Sequence, residues 1–227
     1  MFKILIATPT YDGKLESEYV KSLMGSIELM KKYNIIPEVQ FFPYCSLISH
    51  VRNAIFQEAY EGGFDDLLFI DADQSWKPDD VMRILNHDVD VCGGMYPKKR
   101  DDIQFNTSAL PEGVRFEKNG LIEVLATGTG FLRFSKRAIK MLWNQAMPYV
   151  DGDQEYRAVC NITIERGYLM GEDYDVCFTW REMGEKVYCD PEINLGHIGS
   201  KHYKAIFKEH LMAVKPSEVG NDNAKAD

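Results

Sequence analysis

Long apolar runs are missing from this chain. None approaches the roughly 20 residues that a helix needs to cross a bilayer, so no membrane-spanning helix is expected. The opening MFKILIATPTY turns polar too soon for a signal peptide and reads instead as a first strand. Cysteine is scarce and unpaired in pattern: the five residues Cys45, Cys92, Cys160, Cys177 and Cys189 are odd in number and form no Cys-x-x-Cys motif. That argues against a disulfide framework and a cysteine zinc site, and for a reduced, cytoplasmic setting. Positive charge is in deficit, with 26 Lys and Arg against 35 Asp and Glu and a net charge of −9. A broad phosphate-binding surface for nucleic acid is disfavoured, while a small basic pocket for one nucleotide stays open. Neither a Walker loop nor the dinucleotide pattern GxGxxG is present; the glycine-rich ATGTGF at 126–131 matches neither. No internal repeat or linker interrupts the 227 residues, of which 45% are hydrophobic and 27% charged, so one globular domain is the reading.

What is present begins as a regular alternation. Residues 2–7 read as a strand. Leu15, Tyr19, Val20, Leu23, Met24, Ile27 and Met30 then recur at helical spacing, with Asn34 as a stop. Residues 35–42 form a second strand. Ser46 is placed to cap a helix bearing Leu47, Ile48, Val51, Ile55 and Ala59 and closed by Gly62-Gly63. A third strand over 67–70, a short helix over 78–85 and a strand over 89–92 complete a βαβαβαβ half. That order predicts a mainly parallel central sheet flanked by helices, an α/β fold. The rhythm then changes. Turn signals at Pro111-Glu112-Gly113 and Asn119-Gly120 predict a small β-meander over 103–124. A helix over 135–143, a polar flexible flap over 148–166, a helix over 172–183, a strand over 186–189 and a C-terminal helix over 203–211 follow. The domain is taken as 1–214, with 215–227 a small, polar, disordered tail.

The most informative stretch is LLFIDADQSW at 67–76. Four apolar residues stop in Asp71-Ala72-Asp73. Both carboxylates are expected to leave the sheet on the same side, because side chains alternate along a strand. Two such acids repel each other unless a cation sits between them, and a hard divalent ion carrying a diphosphate meets that need. The carboxyl ends of strands are also where α/β sheets collect ligands. The same Asp-x-Asp heads phosphatases of the haloacid dehalogenase type, where the first Asp is the nucleophile. Those chains carry it on their first strand, whereas here it ends the third.

Four further clusters bear chemistry. Gly171-Glu172-Asp173-Tyr174-Asp175 opens a helix with three acids, which suits the helix dipole and also supplies a general base whose pKa is raised by its neighbours. His197, between Gly196 and Gly199 on a loop, is an acceptable ligand for manganese. Gly128-Thr129-Gly130 would let backbone approach a sugar, or mark a strand with a bulge. Arg52-Asn53 and Lys98-Lys99-Arg100 are groups able to hold phosphates or to face solvent.

Thr8-Pro9-Thr10 after the first strand, Asp71-Ala72-Asp73, Gly128-Thr129-Gly130-Phe131, Glu172-Asp173 and His197, in this order from Ile4 to about His202, together resemble a glycosyltransferase of the GT-A fold, similar to family 2 and related small bacterial or phage enzymes. The resemblance implies a single GT-A (Rossmann-like) domain that moves a sugar from a nucleoside-diphosphate sugar, UDP-linked as a family-level guess, to a hydroxyl-bearing acceptor. It implies Mn²⁺ or Mg²⁺ as cofactor. Thr8, Pro9 and Thr10 would lie near base and ribose, with Arg52, Ala72, Gly128, Thr129 and Gly130 also on the donor side. Asp71 would face ribose or metal, Asp73 would bind the metal, and His197 would complete its shell. Asp173 would be the base of an inverting enzyme, with Glu172 beside it. The acceptor is left open among glycan, lipid, protein, metabolite and a modified phage DNA base. A retaining transferase, a nucleotidyltransferase attacking phosphorus, a phosphatase and a non-catalytic nucleotide-sugar binding module stay as alternatives. The first loop departs from the family with Thr10-Tyr11-Asp12-Gly13, and the short chain leaves a small acceptor region.

Overall fold

The computed structural model describes residues 1–117, 119–165, 167–199 and 201–213; the tail expected over 215–227 lies outside them. The first half runs β1 (Phe2–Thr10), α1 (Ser17–Lys32), β2 (Ile35–Pro43), α2 (Ile48–Glu61), β3 (Asp66–Ile70), β4 (Gln74–Ser75), α3 (Pro78–Leu85) and β5 (Val91–Gly94). It continues with β6 (Thr107–Ala109), β7 (Ile122–Thr127), β8 (Phe131–Ser135), α4 (Lys136–Gln145), β9 (Pro148–Asp151), β10 (Gln154–Arg157), β11 (Thr163–Glu165) and β12 (Tyr168–Met170). α5 (Glu172–Glu182), β13 (Val187–Asp190), β14 (Gly196–Ile198), β15 (His202–Lys204) and α6 (Phe207–Ala213) close the described chain.

Eight strands form one sheet in the order β2-β1-β3-β8-β5-β13-β7-β6. β1 is parallel to β2 and β3, and β5 to β13, while β8 and β7 each run against their neighbours. Six strands therefore point one way and two the other, a mainly parallel sheet with antiparallel insertions. The alternation along β1 explains the layers. Ile4 and Ile6 face one side with Tyr19, Leu23 and Met30 of α1, whereas Leu5 and Ala7 face the other with Val51, Ile55 and Phe56 of α2. The two helices thus cover opposite faces, and a strand buried on both faces reads as a continuous apolar run. Burying each such side chain contributes about 1.5–3 kcal/mol. The chain leaves β1 toward β2 on one side and returns to β3 on the other, which opens a crevice at their carboxyl ends.

Several local expectations shift. The cap of α2 is Leu47, with no side-chain hydrogen bond, and not Ser46. β5 reaches two residues further than its apolar pattern, because Gly93 and Gly94 are strand positions with no room for a side chain: a Cβ on Gly94 would lie 2.8 Å from Ile193. The segment over 103–124 supplies β6 and, with β7, an antiparallel pair that extends the far edge of the main sheet. The flap is two hairpins, β9–β10 and β11–β12, with Gly152 (φ 61°) and Gly167 (φ 85°) at their turns. The last helix starts later than expected, after β15 has paired with β14. Among the described residues no helix is long and apolar enough to cross a membrane. All five cysteines are free thiols.

Candidate active site

β3 ends at Ile70, and Asp71-Ala72-Asp73 is a turn rather than a continued strand. Alternation along a strand therefore does not set the direction of the two carboxylates, and each has a cation of its own. The turn is pinned from three sides. Asp71 N donates to Gly130 O (3.1 Å), Glu16 N to Ala72 O (3.2 Å) and Ile198 N to Asp73 O (2.8 Å). Backbone from the β1–α1 loop, the β7–β8 loop and β14 thus fixes the same three residues. A cleft of about 490 Å³ lies over them, walled by Pro9, Thr10, Asp12, Ser46, Arg52, Asp71 and Asp73 among others.

Arg52 is the hub of one half. From the buried face of α2 its Nη2 donates to Asp71 Oδ1 (3.0 Å) and its Nε to Glu172 Oε1 (3.2 Å). Its guanidinium lies 5.3 Å over the Phe69 ring. The residue is only 4% exposed, and Nη1 has no hydrogen-bond partner among the described residues. A buried guanidinium with one edge unmet has a donor to offer a ligand oxygen.

Asp73 anchors the other half. Its Oδ2 accepts from Lys99 Nζ at 2.5 Å and lies 3.5 Å from His197 Nε2. Burial raises the Asp73 pKa, but the contacts with His197 and Lys99 outweigh it and hold the carboxyl below its usual range. The imidazole orientation is set behind the site: His197 Nδ1 lies 2.8 Å from Pro97 O. A carbonyl can only accept, so Nδ1 donates to it, and Nε2 is the nitrogen turned toward Asp73. A histidine whose far nitrogen is tied to a backbone carbonyl is the arrangement that metal-ligating imidazoles adopt. Among the described residues no three His, Cys, Asp or Glu side chains form a ready cage. One carboxylate and one imidazole fit an ion that draws its other ligands from phosphate and water, as Mg²⁺ and Mn²⁺ do.

Asp173 and Glu172 open α5, with Gly171 as cap. They join the cleft through Arg52 and through a second chain of contacts. Asn106 Nδ2 donates to Tyr96 Oη (2.9 Å) and reaches Asp173 Oδ2 (3.5 Å), while Gly130 N donates to Tyr96 Oη (3.2 Å). Burial raises the Asp173 pKa, and the neighbouring Glu172 raises it further. Asp175 has a different task. Its Oδ2 accepts from Asn161 N (3.0 Å) and its Oδ1 from Thr163 Oγ1 (3.1 Å), tying the β11–β12 hairpin to the first turn of α5.

The structure gathers Asp71, Asp73, His197, Arg52, Glu172 and Asp173 at one end of the sheet, with Pro9, Thr10 and Ala72 on the cleft wall. Thr8 is fully buried and shares a 2.5 Å hydrogen bond with Tyr19 Oη, so it supports the wall without forming it. Gly128 and Gly130 pack under the site, where a Cβ would lie 2.1 Å from Tyr96 Oη and 2.9 Å from Asp71 Oδ2 respectively; Thr129 is buried. Their lack of side chains lets Tyr96 and Asp71 close together. Tyr96, Pro97 and Asn106 were not indicated by any motif, and Lys99 was visible only as part of a basic triplet.

No protein family matches the sequence, and no curated protein matches it. In structure the chain is similar to protein A197 from STIV, with 16% identity, a TM-score of 0.55, and 88% of this chain and 87% of that one covered. It is also similar to a Drosophila β-1,4-galactosyltransferase 7 variant solved with manganese, UDP-Gal and xylobiose, with 14% identity, a TM-score of 0.50, and 100% and 86% covered. At these identities the likeness is one of fold: the chain has the GT-A type of α/β arrangement.

Proposed function

We propose that this chain is a glycosyltransferase that moves a sugar from a nucleoside-diphosphate sugar, UDP-linked, to an acceptor hydroxyl with inversion, using Mn²⁺ or Mg²⁺, and that residues 1–214 act as one catalytic unit. The observation that carries the reading is the assembly around the Asp71–Asp73 turn. Asp73 and an oriented imidazole stand on one side; on the other, Arg52 joins Asp71 to Glu172, next to which stands Asp173, whose pKa burial raises. The galactosyltransferase with this fold was solved with manganese and UDP-Gal, which agrees with the reading.

In this reading Asp73 and His197 hold the divalent ion, with Asp71 facing the ion or the ribose. When bound, the ion acts as a Lewis acid that neutralises charge on the departing diphosphate. Pro9, Thr10 and Ala72 line the donor cleft above Thr8. Gly128, Thr129 and Gly130 form the floor that keeps Asp71 in place. Arg52 offers its unpaired Nη1 to a donor oxygen. Asp173, kept in place by Asn106 and the first turn of α5, takes the proton of the acceptor hydroxyl as its oxygen bonds to the anomeric carbon. The bond from that carbon to the diphosphate breaks, and the nucleoside diphosphate leaves. Holding both reactants at one end of a rigid sheet supplies much of the remaining acceleration.

The test is release of nucleoside diphosphate from a panel of nucleotide sugars with and without Mn²⁺. Asp73→Asn is expected to lose metal-dependent turnover while its melting temperature stays near that of the parent. Full turnover in that variant would overturn the proposal.

A further inference from the structure

Two basic groups meet at a single oxygen, Asp73 Oδ2: Lys99 Nζ at 2.5 Å and His197 Nε2 at 3.5 Å. They are held differently. The imidazole is locked by Pro97 O from behind. The lysine stands on a surface loop, with 37% of its side chain exposed, and makes no other ion pair among the described residues. Within the triplet it is the member turned inward, since Arg100 is drawn off to Asp102. Its stem crosses Gly199, where a Cβ would lie 3.0 Å from Lys99 Cδ. The absent side chain there gives the lysine its path to the carboxylate.

That ammonium stands on the carboxylate that the proposed function gives to a divalent ion. Two cations on one carboxylate oxygen repel each other, so the ion and the ammonium exclude one another there. Oxygens that share an ion with bonds of about 2.1 Å lie about 3–4 Å apart. A diphosphate on the same ion would therefore present its oxygens within a short swing of a flexible four-carbon stem.

We infer that Lys99 is an exchangeable counter-cation: it covers Asp73 in the metal-free protein, yields that carboxylate to a divalent ion, and then binds a phosphate oxygen of the diphosphate on that ion. This rests on the metal–diphosphate reading of the site and deepens it. It makes Lys99 a leaving-group residue and gives the site a preference for metal and diphosphate together over metal alone.

Calorimetry on the intact chain tests it with two probes, Mn²⁺ alone and UDP in saturating Mn²⁺. Lys99→Met keeps the stem and removes the charge. It is expected to bind Mn²⁺ alone about tenfold more tightly and UDP about tenfold more weakly, the scale of one charge-assisted contact. A folding defect would weaken both, so opposite signs identify the exchange. Lys99→Arg is expected to recover part of the UDP affinity. Unchanged affinities, or two shifts of the same sign, would overturn the inference while leaving the metal site standing. If the parent chain binds neither Mn²⁺ nor UDP, the functional reading falls and takes this inference with it.

Discussion

Arg52 and Glu172 are separated by 120 residues of chain and by 3.2 Å in space. The same guanidinium meets Asp71 at 3.0 Å, so one side chain from α2 joins the turn after β3 to the first turn of α5. The planar fork of arginine can serve two carboxylates at once, whereas the single ammonium of lysine is a point charge. Because the guanidinium is buried, the two acids are its compensation for lost water as well as its structural partners.

Arg52→Lys should therefore cost stability as well as function. Losing one of two contacts in a buried network leaves an acid unpaired, and the expected loss is about 3 kcal/mol. Urea unfolding measures it directly. A loss within a few tenths of a kcal/mol would mean that the bridge does not hold these elements together.

Asp173→Asn should separate binding from transfer. Transfer is expected to fall roughly 10²–10⁴-fold, the usual contribution of a general base, with UDP affinity in Mn²⁺ close to that of the parent. The raised pKa adds a pH signature. A base must be ionised to act, so the acid limb of the transfer rate should lie above the ordinary carboxylate range. A rate flat down to that range would remove Asp173 from the role.

A second carboxyl gives a stability signature with a defined sign. Asp80, in the first turn of α3, is pushed up to about 6 by burial, although its side chain accepts from Lys77 N. The folded protein therefore holds this proton more firmly than the unfolded chain does. The stabilisation is complete below the unfolded value of about 3.9 and is lost as pH climbs to about 6. Asp80→Asn keeps the hydrogen-bond acceptor without the titration. Relative to the parent, it should gain stability between pH 4 and pH 7 in paired unfolding titrations, and a constant difference across that range would contradict the assignment.

Gln74 follows the acidic turn and is fully buried, yet neither its Nε2 nor its Oε1 has a partner among the described residues. An unmet buried amide costs about 1–3 kcal/mol, and an apolar side chain of similar shape removes that cost. Gln74→Met is expected to raise the melting temperature. A clear drop would show that the amide has a partner of its own.

The sequence-level reading succeeded where periodicity speaks for itself. The run of β1, the spacing of Val51, Ile55 and Ala59, and the abrupt stop at Asp71 all follow from side chains that must be buried or must not. The carboxylates were legible for the same reason, as polar groups at the end of an apolar run; His197 stood out through its flanking glycines, but it lies in β14 and not on a loop. Their partners were not. Asn106 reaches Asp173 across 67 residues and His197 reaches Pro97 across 100, and such pairs leave no spacing in the chain. Strand alternation gave the two carboxylates one common direction, and that failed because the backbone bonds that bend the turn after Ile70 come from Gly130 and Ile198, far away in sequence. Ser46 was a good cap by residue type, but the chain enters α2 one residue later.

Asp175 fastens the β11–β12 hairpin to the helix that carries Asp173, and the outer strands of that hairpin expose Ile164 and Leu169. The greasy tip and the acid thus share a single rigid mounting, and neither can be re-aimed without the other. Lengthening or trimming this hairpin would retune the alignment of the acid as surely as a substitution beside it.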